Sequence, residues 1–241
     1  MRFLALVPFL MLCACGGQVG DGSRQALVTD MTKLAEQGNQ EAQYHLGMLY
    51  NNGIGTKKDP QKAFEWFNKA GTSGEPLASY KLGCYFGGQF EGVVPVDPEK
   101  SFQYKWVAAK AGYSLAQYDV GNALFKQGKF DEAVRWWELA AKQGYPMALY
   151  NLSVIYKEGK GVSKNDALAY AYFKLAKLAS EGKISQNAQA SLDDMKHAMS
   201  SSDLEKAEQL VSSWKSEPTP ITTKASGGLD EARRLVATSG K

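Results

Sequence analysis

Two patterns of apolar positions alternate along the middle of the chain. The first is an alanine, a tyrosine two positions on, an aliphatic residue four positions on and then a glycine or serine; its copies begin at residues 42, 78, 116 and 148. The second places an aromatic residue three positions, and an alanine seven positions, after a small residue at 63, 101, 133 and 169. Offsets of three and seven follow one face of an α-helix. Each pair of patterns therefore predicts two packed antiparallel helices, repeated four times.

The loops inside these pairs carry residues that begin helices. Each loop has one or more glycines followed by Asp59, Asp97, Asp131 or Asn165. Asp and Asn side chains accept hydrogen bonds from the first free N–H groups of a helix, so these four residues are predicted to cap the second helix of each pair. Glycines at 74, 112 and 144 close the second helices of the first three pairs, where a left-handed residue is expected.

These residues resemble the Sel-one-like (Sel1-like) repeat, a relative of the tetratricopeptide repeat. Residues 42–74 match its pattern best, and residues 131–144 match its second half equally well. The resemblance implies an all-α fold: an αα-hairpin repeat solenoid, a right-handed superhelix of about four repeats with helical caps. Some relatives carry paired cysteines in every repeat, and those positions are empty here.

The patterns and their flanks divide the chain into nine predicted segments. They are a cleaved signal peptide (1–14), a flexible tether (15–24), an N-terminal capping helix (25–41), repeats one to four (42–75, 76–114, 115–146 and 147–182), a C-terminal helical cap (183–215) and a flexible tail (216–241). In the cap, Ser202 and Glu205 have the spacing of a capping box, so a helix is expected from Ser202 to Trp214.

The repeat pattern also names the residues expected to pack between helices. Small residues allow helices to approach closely, and the aromatic residues fill the space between repeats. The predicted packing residues are Ala42, Tyr44, Leu46, Gly47, Ala63, Trp66, Ala70, Tyr80, Leu82, Gly83, Tyr104, Tyr118, Gly121, Trp136, Ala140, Tyr150, Leu152 and Tyr172.

The N-terminus has the pattern of an export signal. Arg2 precedes an uncharged apolar run of ten residues, Phe3 to Leu12. Ten residues of helix span about 15 Å, roughly half of the ~30 Å bilayer core, which indicates a signal peptide and not a membrane-spanning anchor.

The next residues resemble the bacterial lipoprotein signal. Leu12-Cys13-Ala14-Cys15 matches its pattern, which implies cleavage between Ala14 and Cys15 and acylation of Cys15. Two or more acyl chains give stable membrane anchoring. Gly16 follows the cysteine, and by similarity to lipoproteins of two-membrane bacteria this implies the outer membrane, facing the periplasm. The alternative is an ordinary secretory signal cut nearby.

The composition argues against a nucleic-acid partner, a metal site and a cofactor. The 28 Lys and Arg residues nearly balance the 25 Asp and Glu residues, and the sequence has no run of five like charges, so no nucleic-acid partner is indicated. Once Cys13 is removed and Cys15 is acylated, Cys84 remains alone, and we expect a small buried thiol. The two histidines, His45 and His197, lie in different segments, so we predict no metal site and no cofactor.

The sequence also lacks phosphate-binding, nucleophile-elbow and metalloprotease motifs, so we predict no enzyme activity. The leading hypothesis is a protein-interaction scaffold in the cell envelope, whose solenoid groove binds a partner protein or peptide. Its mostly polar lining favours an extended peptide over an apolar helix. The predicted groove residues are Gln43, His45, Asn51, Lys81, Gln117, Asp119, Asn122 and Asn151.

Two other hypotheses remain open. One is an enzyme or binder that acts on peptidoglycan or a β-lactam in the periplasm, for which convergent polar groups in one pocket would be needed. The other is a soluble periplasmic regulator without lipid.

Overall fold

The computed structural model describes residues 21–180 and 188–239, which form twelve α-helices and no strand. The signal peptide, Cys15 and most of the predicted tether lie outside the described residues. The helices are α1 (Asp21–Glu36), α2 (Gln40–Asn52), α3 (Pro60–Thr72), α4 (Pro76–Phe86), α5 (Pro98–Lys110), α6 (Ser114–Lys126), α7 (Phe130–Lys142), α8 (Pro146–Glu158), α9 (Asp166–Ala179), α10 (Ala188–Ala198), α11 (Ser201–Ser213) and α12 (Pro220–Ser239).

The second helices of three repeats begin at the predicted caps. Asp59 accepts a hydrogen bond from the backbone N of Lys62 at 3.0 Å, and Asp97 and Asn165 make the equivalent bond at 2.9 Å. The prediction for Asp131 is wrong, because α7 begins after Lys129 without a side-chain cap. Its loop is too short to place Asp131 before the helix, so this carboxylate lies in the first turn.

The hairpins α2/α3, α4/α5, α6/α7 and α8/α9 stack in chain order, as expected of an α-solenoid. A glycine in the first helix admits a large aromatic ring from the second. A Cβ on Gly47 would lie 2.6 Å from the Phe67 ring, and one on Gly121 would lie 2.5 Å from the Trp137 ring. The repeat glycine is therefore required by close packing and not by backbone conformation.

The burial of the predicted packing residues varies with residue size. The alanines, leucines and glycines among them are buried, as are Tyr44 and Tyr80. The predicted rings of the second helices are only half-buried, namely Trp66, Tyr104, Trp136 and Tyr172. Trp136, for example, meets Trp106 edge to face with the ring centroids 5.0 Å apart. Tyr150 differs from the prediction, since it is 37% exposed.

Both ends of the array are capped by helices. Helix α1 covers repeat one, and α10 and α11 pack on α9. The cap of α11 is not the predicted Ser202: Ser200 Oγ accepts from the backbone N of Asp203 at 3.1 Å and donates to its carboxylate at 2.8 Å. Serines at 200, 201 and 202 made the register ambiguous in the sequence. None of the described helices has the length and hydropathy needed to cross a bilayer.

The C-terminal segment departs most from expectation. The predicted flexible tail forms α12, with a kink at Gly228, where φ is 51° and ψ is −117°. We call residues 214–239 the strap, because they run back along the solenoid towards its first helix. The strap is ordered because it makes specific contacts with the turns between repeats.

Candidate functional site

The strap passes the turns between repeats in reverse chain order. The backbone N of Glu217 donates to the carbonyl of Lys142 at 2.9 Å, after α7. Thr219 and Thr222 then reach Gly112, after α5, and Lys224 reaches Glu75, after α3. Leu229 and Ala232 finally pack beside α1 and α2. The C-terminus of the described chain is thereby brought onto its N-terminal repeat.

The side-chain amide of Gln143 joins two repeats and the strap. Its Nε2 donates to the Gly112 carbonyl at 2.9 Å and to Gln117 Oε1 at 2.7 Å. Its Oε1 accepts from the backbone N of Thr219 at 3.1 Å and from Thr222 Oγ1 at 2.6 Å. Both amide hydrogens and both lone pairs are therefore used, which sets the orientation of this buried group.

Thr219 and Pro220 start the strap helix. Thr219 Oγ1 accepts from the backbone N of Thr222 at 3.3 Å, and Pro220 takes the first helical position. Thr219 Oγ1 also lies 2.9 Å from the Gly112 carbonyl, while Thr222 Oγ1 accepts from the backbone N of Ser114 at 3.0 Å. Two hydroxyls thus satisfy backbone groups of the turn that follows α5.

Glycines at two turns allow this close approach. Gly112 and Gly144 have φ of 97° and 83°. A Cβ on Gly144 would lie 2.7 Å from Ser216 Oγ, and one on Gly112 would lie 3.2 Å from Thr219 Cγ2. The equivalent Gly74 has no atom within 4 Å of such a Cβ. The strap therefore adds a steric reason for glycine at two of the three turns.

Lys224 ties the strap to two acidic residues at the starts of α2 and α4. Its Nζ lies 3.1 Å from Glu41 Oε2 and 3.9 Å from Glu75 Oε1. Glu75 is 6% exposed, and its other oxygen accepts from the backbone N of Ala78. Burial raises the pKa of Glu75 above 4.5, whereas the N–H of Ala78 and the Lys224 cation act in the opposite direction.

His45 lies under the strap without a hydrogen-bond partner for its Nε2 among the described residues. The side chain is 3% exposed, and Nε2 is 3.7 Å from Glu41 Oε1. Burial lowers the pKa of His45 below 6.5 and the Lys224 cation adds to this, while Glu41 and Glu231 act the other way. A proton on His45 is thus disfavoured while the strap is in place.

Four predicted groove residues are buried in structural contacts and do not line an open groove. Gln43 and Gln117 each reach back to a carbonyl eight residues earlier, Ala35 at 3.0 Å and Ala109 at 3.3 Å. Asn51 accepts from Tyr85 Oη at 3.0 Å, and His45 lies beneath the strap. Their positions face neighbouring helices or the strap, which the repeat pattern did not reveal.

Asp119, Asn122 and Asn151 line open cavities, and all three, like Lys81 on α4, are half-buried. Asp119 accepts from Lys105 Nζ at 2.7 Å and from Tyr80 Oη at 3.2 Å. Asn122 Oδ1 accepts from Asn151 Nδ2 at 3.1 Å and from Trp137 Nε1 at 3.2 Å. These polar groups pair with neighbouring side chains and leave apolar surface between them.

Three adjoining cavities of about 390, 380 and 470 Å³ form a groove along α6 and α8, from the start of α5 to α10. Asn122 and Lys126 line the first two cavities, and Tyr150, Val154 and Glu158 line the second and third. Phe125, Trp137 and Phe173 add aromatic surface. The groove therefore combines an apolar floor with a charged rim.

The described residues show little that could support chemistry. No group of three or more His, Cys, Asp and Glu residues among them is placed to hold a metal ion. Burial raises the pKa of the free Cys84 thiol, although Lys105 and Lys81 act the other way, so the less nucleophilic neutral form is favoured.

The Sel1 repeat profile matches residues 40–75, 76–105, 114–145 and 146–180, more than half of the chain. The chain belongs to the Sel1 repeat family. Proteins of this family generally act as protein–protein interaction scaffolds. The profile ends before the strap, which lies outside the Sel1 repeats.

A curated relative and two solved structures are similar to this Sel1 repeat chain. The Sel1-like repeat-containing protein L21 of Acanthamoeba polyphaga mimivirus is 34% identical over 122 residues, which are 51% of this chain and 22% of L21. The chain thus spans about a fifth of that relative.

The two structures are each 22% identical and cover 88% of this chain, so they show the fold alone. A Sel1 repeat protein from Oxalobacter formigenes aligns with a TM-score of 0.60 over 80% of its length. Protein c5321, a protective antigen of uropathogenic Escherichia coli, aligns with a TM-score of 0.52 over 51% of its length.

Sequence reasoning missed the strap and Gln143, although one signal was available. Thr219-Pro220 repeats the capping arrangement of Asp59-Pro60 and Asp97-Pro98, so it marks a helix start by the rule used for the Sel1 repeats. Gln143 carries no comparable signal, because its role depends on residues 76 to 79 positions further along the chain.

Proposed function

We propose that this protein is a non-enzymatic scaffold of the bacterial cell envelope that holds a segment of a partner protein in the groove along α6 and α8. The observation that carries the proposal is the exposure of Tyr150. At the same repeat position, Tyr44 and Tyr80 are 7% and 8% exposed, whereas Tyr150 is 37% exposed and lines two of the three cavities. Tyrosine is a frequent anchor at protein interfaces, because a rigid ring and a hydroxyl are offered together.

The rest of the groove supports the same proposal. Val154 and Phe125 offer apolar area beside Tyr150, while Lys126 and Glu158 stand at the rim. An apolar centre with a charged rim is the usual anatomy of a protein interface. The apolar surface was unexpected, because polar residues were predicted to line the groove. Asn122 instead bonds to Asn151 and Trp137, which leaves apolar side chains exposed.

The envelope location is part of the proposal and is supported by the N-terminal sequence. Acylation of Cys15 would hold the solenoid at a membrane, and Gly16 at the next position favours the outer membrane. The groove would then be open to periplasmic partners.

Photocrosslinking in intact cells tests the groove. We expect p-benzoylphenylalanine at position 150 to give a protein adduct that mass spectrometry identifies. Leu139, which is 47% exposed on α7, is the matched control and should give no such adduct. Equal adducts from both positions, or none from position 150, would contradict the groove as the binding site.

Metabolic labelling tests the anchor. Palmitate should label the wild-type chain, and Cys15→Ser should abolish the label because the acceptor sulfur is lost. The same fractionation should find the Cys15→Ser chain released from membranes. Equal labelling of both chains would exclude acylation at Cys15.

A further inference from the structure

The strap contacts a surface that is distinct from the groove. Each turn between repeats on this surface binds a different side chain of the strap. In the turn after α7, the backbone carbonyl of Gln143 accepts a hydrogen bond from Ser216 Oγ at 2.9 Å. The turn after α5 binds the hydroxyls of Thr219 and Thr222 through Gly112 and Ser114. The turn after α3 provides Glu75 to Lys224. We call this row of turns, with Gln143 and Glu41, the edge surface.

These contacts require particular side chains at fixed positions along the strap. The hydroxyls stand three residues apart, a proline follows the middle one, and the lysine comes two residues after the last. Valine has the shape of threonine but lacks the hydroxyl, so it could not satisfy Gln143 or Ser114 in the same place. The edge surface therefore selects hydroxyl and ammonium groups at fixed spacing and not merely an apolar helix.

The strap is also held in a way that permits release. Ala232 is its only buried residue among positions 214–239, and its other apolar residues that pack against the solenoid are only partly buried. Segments with few buried apolar contacts open at low free-energy cost compared with the core. Ile221 and Ala225, for example, pack against the apolar cluster that includes Tyr44 and Leu77.

We propose that the edge surface is a second binding site, specific for a partner segment of the form Ser-x-x-Thr-Pro-x-Thr-x-Lys that continues into a helix. The strap occupies this site within the same chain until such a segment replaces it. Because a tethered segment competes at an effective concentration of about 1 mM, only a partner that is concentrated locally or binds more tightly displaces it. The site is separate from the groove, so its test and the Tyr150 test can fail independently.

The test uses a fluorescein-labelled peptide of residues 214–239 and the full chain. A chain with Thr219→Val, Thr222→Val and Lys224→Glu should have a loosened strap. It should bind the wild-type peptide at least about tenfold more tightly than the wild-type chain does, because competition within the chain is removed. The peptide carrying the same three changes should not bind.

Two controls make the result specific. Thr223→Val changes an exposed neighbour on the same helix and should leave peptide binding at the wild-type level. Adding Gln143→Leu to the loosened chain should abolish binding, since the amide that joins the strap to two repeats is lost. Binding that is indifferent to Gln143→Leu, or equal for both peptides, would overturn the proposal.

A measurement on the unaltered chain covers the case in which the loosened chain does not fold. Unlabelled peptide at several-fold above the ~1 mM effective concentration of the tethered strap should increase hydrogen exchange in residues 220–227 of the wild-type chain by displacing them, while exchange in α6 and α7 stays unchanged. Unchanged exchange in the strap at saturating peptide would also overturn the proposal.

Discussion

The same helix face is covered by the strap in repeat one and open in repeat four. Five positions of α2 line the small cavity under the strap, and the five positions 106 residues later in α8 line the open groove. The two sets are Tyr44, His45, Met48, Leu49 and Asn52, and Tyr150, Asn151, Val154, Ile155 and Glu158. The cavity in repeat one measures about 120 Å³, against about 380 Å³ at repeat four.

This difference shows that the repeat motif and the strap determine different properties of the surface. The repeat motif decides which positions share a face, so the same five offsets recur in both helices. A segment outside the motif decides whether that face is closed. The strap covers this face of α2, whereas at its other end it contacts the turn after α7. A Sel1 repeat array can thus differ in binding surface from one unit to the next without a change in the motif.

The largest expected effect comes from the tyrosines at the shared position. Tyr44→Ala removes a buried ring and should lower the free energy of unfolding by about 3 kcal/mol. Tyr150→Ala removes an exposed ring and should cost less than about 1 kcal/mol. Urea unfolding of both variants measures the difference, and equal losses would show that the two repeats are closed to the same extent.

A charge reversal should open repeat one. Lys224→Glu places a third carboxylate beside Glu41 and Glu75, and we expect trypsin to cut at Arg233 and Arg234 about tenfold faster, equivalent to about 1.4 kcal/mol. Glu41→Lys in the same chain restores an opposite-charge pair and should return the rate towards wild type. A rate that stays high in the double variant would show that this ion pair does not hold the strap.

Two glycine substitutions should distinguish strap contact from backbone strain. Gly144→Ala and Gly74→Ala both place a side chain in the left-handed region, at a cost of about 1 to 2 kcal/mol each. Only at Gly144 does the new Cβ also meet the strap, 2.7 Å from Ser216 Oγ. Gly144→Ala should therefore lower the free energy of unfolding by about 1 kcal/mol more than Gly74→Ala does. Cleavage of the strap should also be faster in the Gly144→Ala chain. Equal stability and cleavage would place the strap away from this turn.

The smallest effect is a pH dependence of strap docking. His45 is less basic under the strap than in solvent, so the released state binds more protons. Docking should be full above the ordinary pKa of 6.5 and weaken as the pH falls below it, by less than about tenfold between pH 8 and pH 5.5. Glu75 has a raised pKa in the folded chain, so its protonation stabilises the fold at lower pH and opposes this trend.

Tryptic cleavage of the strap across this pH range, corrected for the pH dependence of trypsin on an unfolded substrate, measures the effect. His45→Gln should flatten the profile, because the titrating group is gone. His197→Gln, in the exposed part of α10, should leave it as in the wild type. A profile unchanged by His45→Gln would assign the pH dependence to another group.

The helices of the array were predictable because their signals are local. Asp59, Asp97 and Asn165 act within three residues of themselves, and Gly47 and Gly121 recur with the repeat. Asp131 failed where a short loop left no room for the cap. Thr219-Pro220 was readable by the same rule, but the low hydropathy around it favoured a linker.

The candidate site was less predictable because it depends on distant pairs. The sequence places Asn122 and Asn151 on the first helices of repeats three and four, yet their mutual hydrogen bond leaves Tyr150 and Val154 as the open surface. Polarity along one helix therefore predicted a polar groove where pairing between helices produced an apolar one.

The sequence by itself determined the Sel1 repeat fold, since a period of three and four repeated in four units is sufficient to specify stacked helix pairs. It also holds the N-terminal pattern of Arg2 and an apolar run on which the envelope proposal rests. Only the tertiary structure decided which repeat face is open, because this depends on contacts between residues more than 70 positions apart. Gln143 bonds to Thr222, and Lys224 to Glu41, through space that no local pattern describes.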